Sequence, residues 1–230
     1  MEGKRLLAEA LGAGATVTDL YVAPGFDDPV VDEAVGVGAR RHDLAPGVLE
    51  RVADTATPQP VAAVVATLDV AIDALRNADL VVVCVDVRDP GNLGTVLRSG
   101  EAAGAGGVIC CEGSVDVYSP KTVRASAGSL FHVPVVAGGE PLEVLDRLGL
   151  WGLSRVGTHA HSGTPYDEAG LSRPTALVFG NEAHGLPTAL SAHLDDTVTI
   201  PMVGRSESLN VGMAAAVLCF EAARQRRAGQ

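Results

Sequence analysis

Apolar positions along this chain keep two rhythms. Short unbroken aliphatic runs recur at 61–66, 80–85, 107–111 and 175–179 and read as strands, the run at 80–85 as one buried on both faces. Between them, apolar residues return every three or four positions, the spacing of amphipathic helices. The pattern predicts a helix over 4–11 stopped by Gly12 and Gly14, a strand over 17–23, and helices over 29–37 and 46–53. A loop over 55–60 and a strand over 61–66 follow. A short connecting helix over 69–78 leads to strand 79–86, helix 93–105, strand 107–111, helix 120–127 and strand 133–136. Helix 141–148, strands 151–157 and 175–179, helix 187–193, strand 197–200 and helix 208–226 complete the series. Strands alternating with helices imply an α/β fold, its mostly parallel sheet covered on both faces.

Composition narrows this picture. With 47% apolar residues but only 3% aromatic ones, the core must be built from Val, Leu and Ala. A chain of 230 residues can form one large domain or two modest ones. No charged-then-apolar leader and no apolar run near ~18 residues occurs, so no membrane association and a cytoplasmic location are expected. Cys84, Cys110 and Cys111 fall in expected strands and Cys219 in an expected helix, with no C-x-x-C spacing, which reads as buried reduced thiols. The net charge of −11 argues against a generic polyanion binder. Residues 1–70 carry 5 Lys/Arg against 11 Asp/Glu, and residues 71–230 carry 12 against 17. Any nucleic acid must therefore be met through local basic patches. Arg88, Arg98, Lys121, Arg124 and Arg205 are candidates, as are Arg224, Arg226 and Arg227, which equally suit a solvated helix end.

Three segments carry candidate chemistry. The first is Asp86-Val87-Arg88-Asp89-Pro90-Gly91-Asn92-Leu93-Gly94-Thr95-Val96-Leu97-Arg98, expected as an Asn/Gly turn at the carboxyl end of a buried strand with Arg98 facing back toward it. Such strand ends are where α/β proteins place their sites. In the second, Leu177-Val178-Phe179-Gly180-Asn181-Glu182-Ala183-His184-Gly185-Leu186-Pro187, a buried strand enters a glycine turn. The third runs Ile200-Pro201-Met202-Val203-Gly204-Arg205-Ser206-Glu207-Ser208-Leu209-Asn210-Val211 into Gly212-Met213-Ala214-Ala215-Ala216-Val217-Leu218.

In this order and spacing, the three segments resemble the motifs of the SpoU/TrmH branch of the SPOUT RNA methyltransferases. The resemblance covers nearly all of the C-terminal two-thirds. It implies S-adenosylmethionine as cofactor, structured RNA (ribosomal or transfer) as partner and 2′-O-ribose methylation as the reaction. It also implies a deep C-terminal trefoil knot, which physics alone disfavours, and a homodimer joined through the last helix. By motif position, Arg98, Asn92, Ser208 and Asn210 would be catalytic. Thr158, Gly180, Ile200 and Leu209 would hold the cofactor, and Glu182 would brace the loops by accepting backbone N–H bonds. A guanidinium with a pKa above roughly 12 is a poor base, so phosphate clamping or oxyanion stabilisation suits Arg98 better, with proton abstraction left open. The resemblance also has the motif arginine serve the opposite protomer's site. Gly212, where many relatives carry Ser or Thr, is expected to loosen its helix start.

Residues 1–70 resemble the small αβ substrate-recognition domain that precedes many SpoU catalytic domains, the latter expected here over 71–230. Residues 48–59 look like its closing part and Glu2-Gly3 like the end of its opening strand, so either the chain begins late or the domain is trimmed, and the completeness of the module is left open. His159-Ala160-His161 has no further ligand at metal-site spacing, so a loop and no metal are expected. Two other readings stand beside the enzyme. One is a non-catalytic RNA-binding or assembly factor that keeps the fold. The other is a nucleotide-dependent oxidoreductase, which the absence of G-x-G-x-x-G and of a P-loop disfavours.

Overall fold

The computed structural model describes residues 1–52 and 57–229, so the last residue of the expected helix 46–53 and the first two of the expected loop 55–60 lie outside the described residues. Two compact units divide the chain at Leu68/Asp69. In the first, α1 (Lys4–Gly12), β1 (Val17–Val22), α2 (Pro29–Gly36), β2 (Arg40–Asp43), α3 (Val48–Val52) and β3 (Val61–Val65) build a sheet of order β2-β1-β3. β2 runs parallel to β1 and β3 antiparallel to it, while Glu2 bridges Ala62 on the far side of β3. Leu7, Leu20, Val22, Val31 and Ala34 form its core. β2 was not expected, because every residue of Arg40-Arg41-His42-Asp43 is exposed and polar. Asp28 caps α2 by accepting the Val30 N–H, with Pro29 pre-set in the first turn.

The second unit carries seven strands. These are β4 (Leu80–Cys84), β5 (Gly107–Cys110), β6 (Val135–Ala137), β7 (Ser154–Thr158), β8 (Thr164–Pro165), β9 (Thr175–Phe179) and β10 (Asp196–Thr199). All are parallel, in the order β6-β5-β4-β9-β7-β10-β8. Side-chain alternation divides the core. Val81, Val83, Ile109, Ala176 and Val178 pack with Val144, Leu145 and Leu148 of α6 (Pro141–Leu150). The opposite face lies under α4 (Pro90–Ala102), which packs against α5 (Pro120–Ser126) and α7 (Val211–Ala228). All four cysteines are buried thiols, and burial pushes Cys111 and Cys219 up to about 12.

Several boundaries move for identifiable reasons. The expected 93–105 helix begins at Pro90, because Asp89 caps it by accepting the Asn92 N–H at 2.8 Å. Asn92 and Gly94 thus belong to the helix rather than to a preceding turn. The expected 208–226 helix begins at Val211, where Asn210 accepts the N–H groups of Gly212 and Met213, which leaves Ser208 in the loop. Trp151 closes α6, so the expected 151–157 strand starts at Ser154. The connecting helix and the 187–193 helix are short 3₁₀ turns at Ile72–Leu75 and Thr188–His193. β8 is only two residues long and carries no period to read. Gly212 lies in the first turn of α7, facing α4. A Cβ there would meet the Thr95 side chain at 2.8 Å, so its absence lets α4 and α7 approach.

Candidate active site

The carboxyl ends of β7, β9 and β10, neighbours in the sheet, open onto one cleft of about 340 Å³. Thr158 ends β7, Phe179 ends β9 with Gly180 just after it, and Ile200 follows β10. Ser208 and Leu209 close the cleft from the segment ahead of α7. All four expected cofactor positions, Thr158, Gly180, Ile200 and Leu209, therefore line the same space, with Glu182 and Ser208. Gly180 is required by its own loop, since a Cβ there would come within 2.3 Å of the Gly185 carbonyl carbon and 2.5 Å of the Leu186 nitrogen. The loop closes by reciprocal backbone bonds between Asn181 and Gly185, at 2.9 and 3.0 Å.

Glu182 ties this loop to the start of α4. Its Oε1 accepts the Asp89 N–H and the Asn92 Nδ2–H, each at 3.0 Å, and its Oε2 accepts the Arg88 N–H at 3.2 Å. Burial pushes its carboxyl up, but the bonds from Asn92, Asp89 and Arg88 outweigh that and hold it below its ordinary value of 4.5. The network sets its own polarity. Because Asn92 donates to the carboxylate, its Oδ1 accepts the Asn210 Nδ2–H, and the Asn210 Oδ1 turns to cap α7. Asn92, Asn210, Glu182 and Arg88 line a second, shallow cleft, and Glu182 borders both.

The SpoU rRNA Methylase family matches residues 79–220. The 23S rRNA (guanosine(2553)-2'-O)-methyltransferase RlmP of Bacillus subtilis is 36% identical over 220 residues, covering 96% of this chain and 86% of that one. The 23S rRNA (uridine(2479)-2'-O)-methyltransferase of Streptomyces viridochromogenes is 42% identical over 146 residues, 61% of this chain and 51% of its own length. The crystal structure of the SpoU methyltransferase AviRb from Streptomyces viridochromogenes, in complex with AdoMet, superposes with a TM-score of 0.91 at 33% identity, covering 100% of this chain and 91% of that one. The chain belongs to the SpoU rRNA methylase family.

Within this SpoU protein, Arg98 stands apart from the residues it was expected to join. It is exposed on α4, lines neither cleft, and has no hydrogen-bond or ion-pair partner among the described residues. Asn92, six residues earlier on the same helix, is buried, whereas Arg98 is open to solvent. Two residues of the site were missed by sequence reasoning. Asn181 accepts the N–H groups of Ala183 and His184 through Oδ1 and donates Nδ2–H to the Asp86 carbonyl, at 2.9 Å. Its place after a glycine, in a turn, was a readable signal for such local bonding. Asp86 itself adopts a left-handed φ of 55°. Of the expected basic cluster, Arg224 pairs with Glu221 at 2.7 Å, and Arg226 donates to the carbonyls of Asp79 and Arg173, while Arg227 is exposed and has no hydrogen-bond or ion-pair partner among the described residues. The His159 Nδ1 accepts the His161 N–H within its own loop.

Proposed function

We propose that this protein transfers the methyl group of S-adenosylmethionine to a ribose 2′-hydroxyl of ribosomal RNA. The observation that carries this reading is the joining of all three motif segments at two adjacent clefts through the Asn92–Glu182–Asn210 network. The deeper cleft, at the ends of β7, β9 and β10, suits the cofactor: its volume of about 340 Å³ falls in the ~300–1,000 Å³ range of small-molecule sites. It combines an apolar lining from Phe179, Ile200, Leu209 and Leu218 with the polar edges of Thr158 and the 180–185 loop. When bound, the cofactor supplies a methyl already activated on a sulfonium. The chain's own residues position the acceptor and stabilise developing charge. Asn92 and Asn210 would orient the ribose at the shallow cleft, with Ser208 at the neighbouring edge.

Arg98 would complete the site from a second copy. Met213 and Phe220, 55% and 49% exposed, lie with Val217 on one side of α7, and a second copy of that surface covers an apolar face water otherwise meets. We also assign residues 1–70 to RNA recognition, the trefoil knot to the C-terminal segments, and the protein to the cytoplasm, where its substrate lies. The relatives' names differ between a guanosine and a uridine, so the target nucleotide follows from neither. Because Arg98 stands outside its own clefts, a chain that remained monomeric would be a binder rather than an enzyme. Calorimetry with S-adenosylmethionine and with NAD, followed by mapping of 2′-O-methyl groups in rRNA from a deletion strain, tests the proposal. Cofactor binding together with one missing methyl is expected. Binding of NAD alone, or a complete methylation map, would overturn it.

A further inference from the structure

Arg88 is held at both ends. Its backbone N–H is fixed by Glu182, and its Nε–H donates to the Asp86 Oδ1 at 2.7 Å. The side chain is 71% exposed, and its Nη1 and Nη2 make no hydrogen bond to any described residue. What remains is the outer edge of a guanidinium, a fork matched to the oxygens of a phosphate, presented in the shallow cleft beside Asn92 and Asn210. The partner that aims it is costly to keep. Asp86 is one of two non-glycine residues with positive φ among the described residues, and its carbonyl is clamped by the Asn181 side chain. An exposed ion pair adds little stability and does not offset such a conformation, whereas pre-aiming a ligand group at a site does account for it. The usual anion acceptor at this place is already used, since the Asp89 carboxylate caps the start of α4. In a chain of net charge −11, contact with an RNA phosphate falls to single well-placed cations.

We propose that Arg88, positioned by Asp86, docks a backbone phosphate of the RNA next to the ribose being methylated. This rests on the methyltransferase reading above. The test uses in vitro transcribed 23S rRNA with four forms of the full chain: wild type, Arg88→Ala, Arg88→Lys and Asp86→Asn. Asparagine also tolerates the left-handed backbone, so Asp86→Asn removes the charge and spares the turn. Arg88→Ala is expected to raise KM for RNA about tenfold, leave kcat within about twofold, and lower the slope of log affinity against log salt by about one. Arg88→Lys restores the salt slope but only part of KM, because a point charge replaces a fork. Asp86→Asn raises KM about threefold and adds nothing in the Arg88→Ala background, as expected of a residue acting through another. Fluorescence anisotropy with the same transcript reads the Arg88 contribution independently of turnover, so an inactive wild type would defeat the methyltransferase reading and leave this measurement standing. Unchanged RNA affinity and salt slope in Arg88→Ala would overturn the proposal. So would a loss of S-adenosylmethionine affinity without loss of RNA affinity, which would make the cofactor carboxylate the anion held.

Discussion

Glu182 illustrates how one side chain can organise a site. Both its oxygens are occupied by donors from the segment entering α4, and those bonds stabilise the ionised form. A carboxyl whose folded pKa is depressed contributes stability that is present above its ordinary value of 4.5 and lost as pH falls through the folded value. Urea unfolding from about pH 7 to about pH 3.5 should show the gap between wild type and Glu182→Ala narrowing toward the acid end. Near neutral pH, Glu182→Ala should cost about 1 kcal/mol, a modest figure because the carboxylate is partly open to water. A pH-independent gap would assign the loss to packing instead. Gly180→Val separates cofactor binding from chemistry in another way. The added side chain meets the backbone of Gly185 and Leu186, which cannot swing aside as a flexible side chain would. S-adenosylmethionine affinity should fall more than about tenfold, a loss exceeding 1.4 kcal/mol. Arg98→Ala should bind cofactor within a few-fold of wild type and fail to methylate. Equal cofactor losses in the two variants would show that this division of roles is wrong.

The contact between α4 and α7 is where helix packing and site geometry are coupled. α4 delivers Asn92 from its first turn, α7 is capped by Asn210, and the hydrogen bond between these side chains spans the two helices. Their approach depends on Gly212 facing Thr95. Helix propensity alone favours alanine over glycine by about 1 kcal/mol inside a helix. Overpacking opposes it by typically 1–3 kcal/mol, so Gly212→Ala should be destabilising on balance. In chemical denaturation, Gly212→Ala combined with Thr95→Gly should lose less stability than the two single changes together, because the second change removes the obstructing atoms. Strict additivity would mean that the contact is not the determinant.

At the scale of the whole molecule, the position of Arg98 makes assembly part of the proposed mechanism. Leu218, Cys219 and Ala222 bury one side of α7 within the chain while Met213 and Phe220 remain exposed on it. Light scattering at micromolar concentration should report a dimer, and replacing Met213 and Phe220 with Glu should yield monomers that lose methyl transfer. Mixed dimers give a sharper measurement. If Arg98 serves the opposite protomer, a heterodimer of Arg98→Ala with Gly180→Val chains holds one intact and one doubly damaged site. Co-expression in equal amounts should then recover about a quarter of wild-type activity, since transition-state stabilisation acts within each site. Background activity from a heterodimer verified by mass spectrometry would place Arg98 in its own protomer's site or outside catalysis.

Periodicity and punctuation were enough to find the strands buried on both faces, because unbroken aliphatic runs such as Leu80–Cys84 have few other structures open to them. They also exposed the alternating α/β order, and the three motif segments were legible as site candidates with a family resemblance. What escaped was short, polar or non-local. Arg40–Asp43 forms a strand only because β1 supplies a partner edge, and its exposed side chains leave no apolar trace. The start of α4 was set by an Asp-Pro cap that competed with an Asn/Gly turn signal, and the cap prevailed because it satisfies the Asn92 N–H. Sequence order placed Thr158, Gly180 and Ile200 in separate segments, and the adjacency of β7, β9 and β10 brings their ends to one cleft. Gly180 was legible as a special position, yet the Gly185 carbonyl that excludes its Cβ belongs to the folded loop. Residue types and their rhythm thus determined which segments could be strands, helices and sites. The long-range contacts that fix the Arg88 backbone on Glu182 and lock Asn92 to Asn210 are properties of a packed chain, and only the tertiary structure decided them.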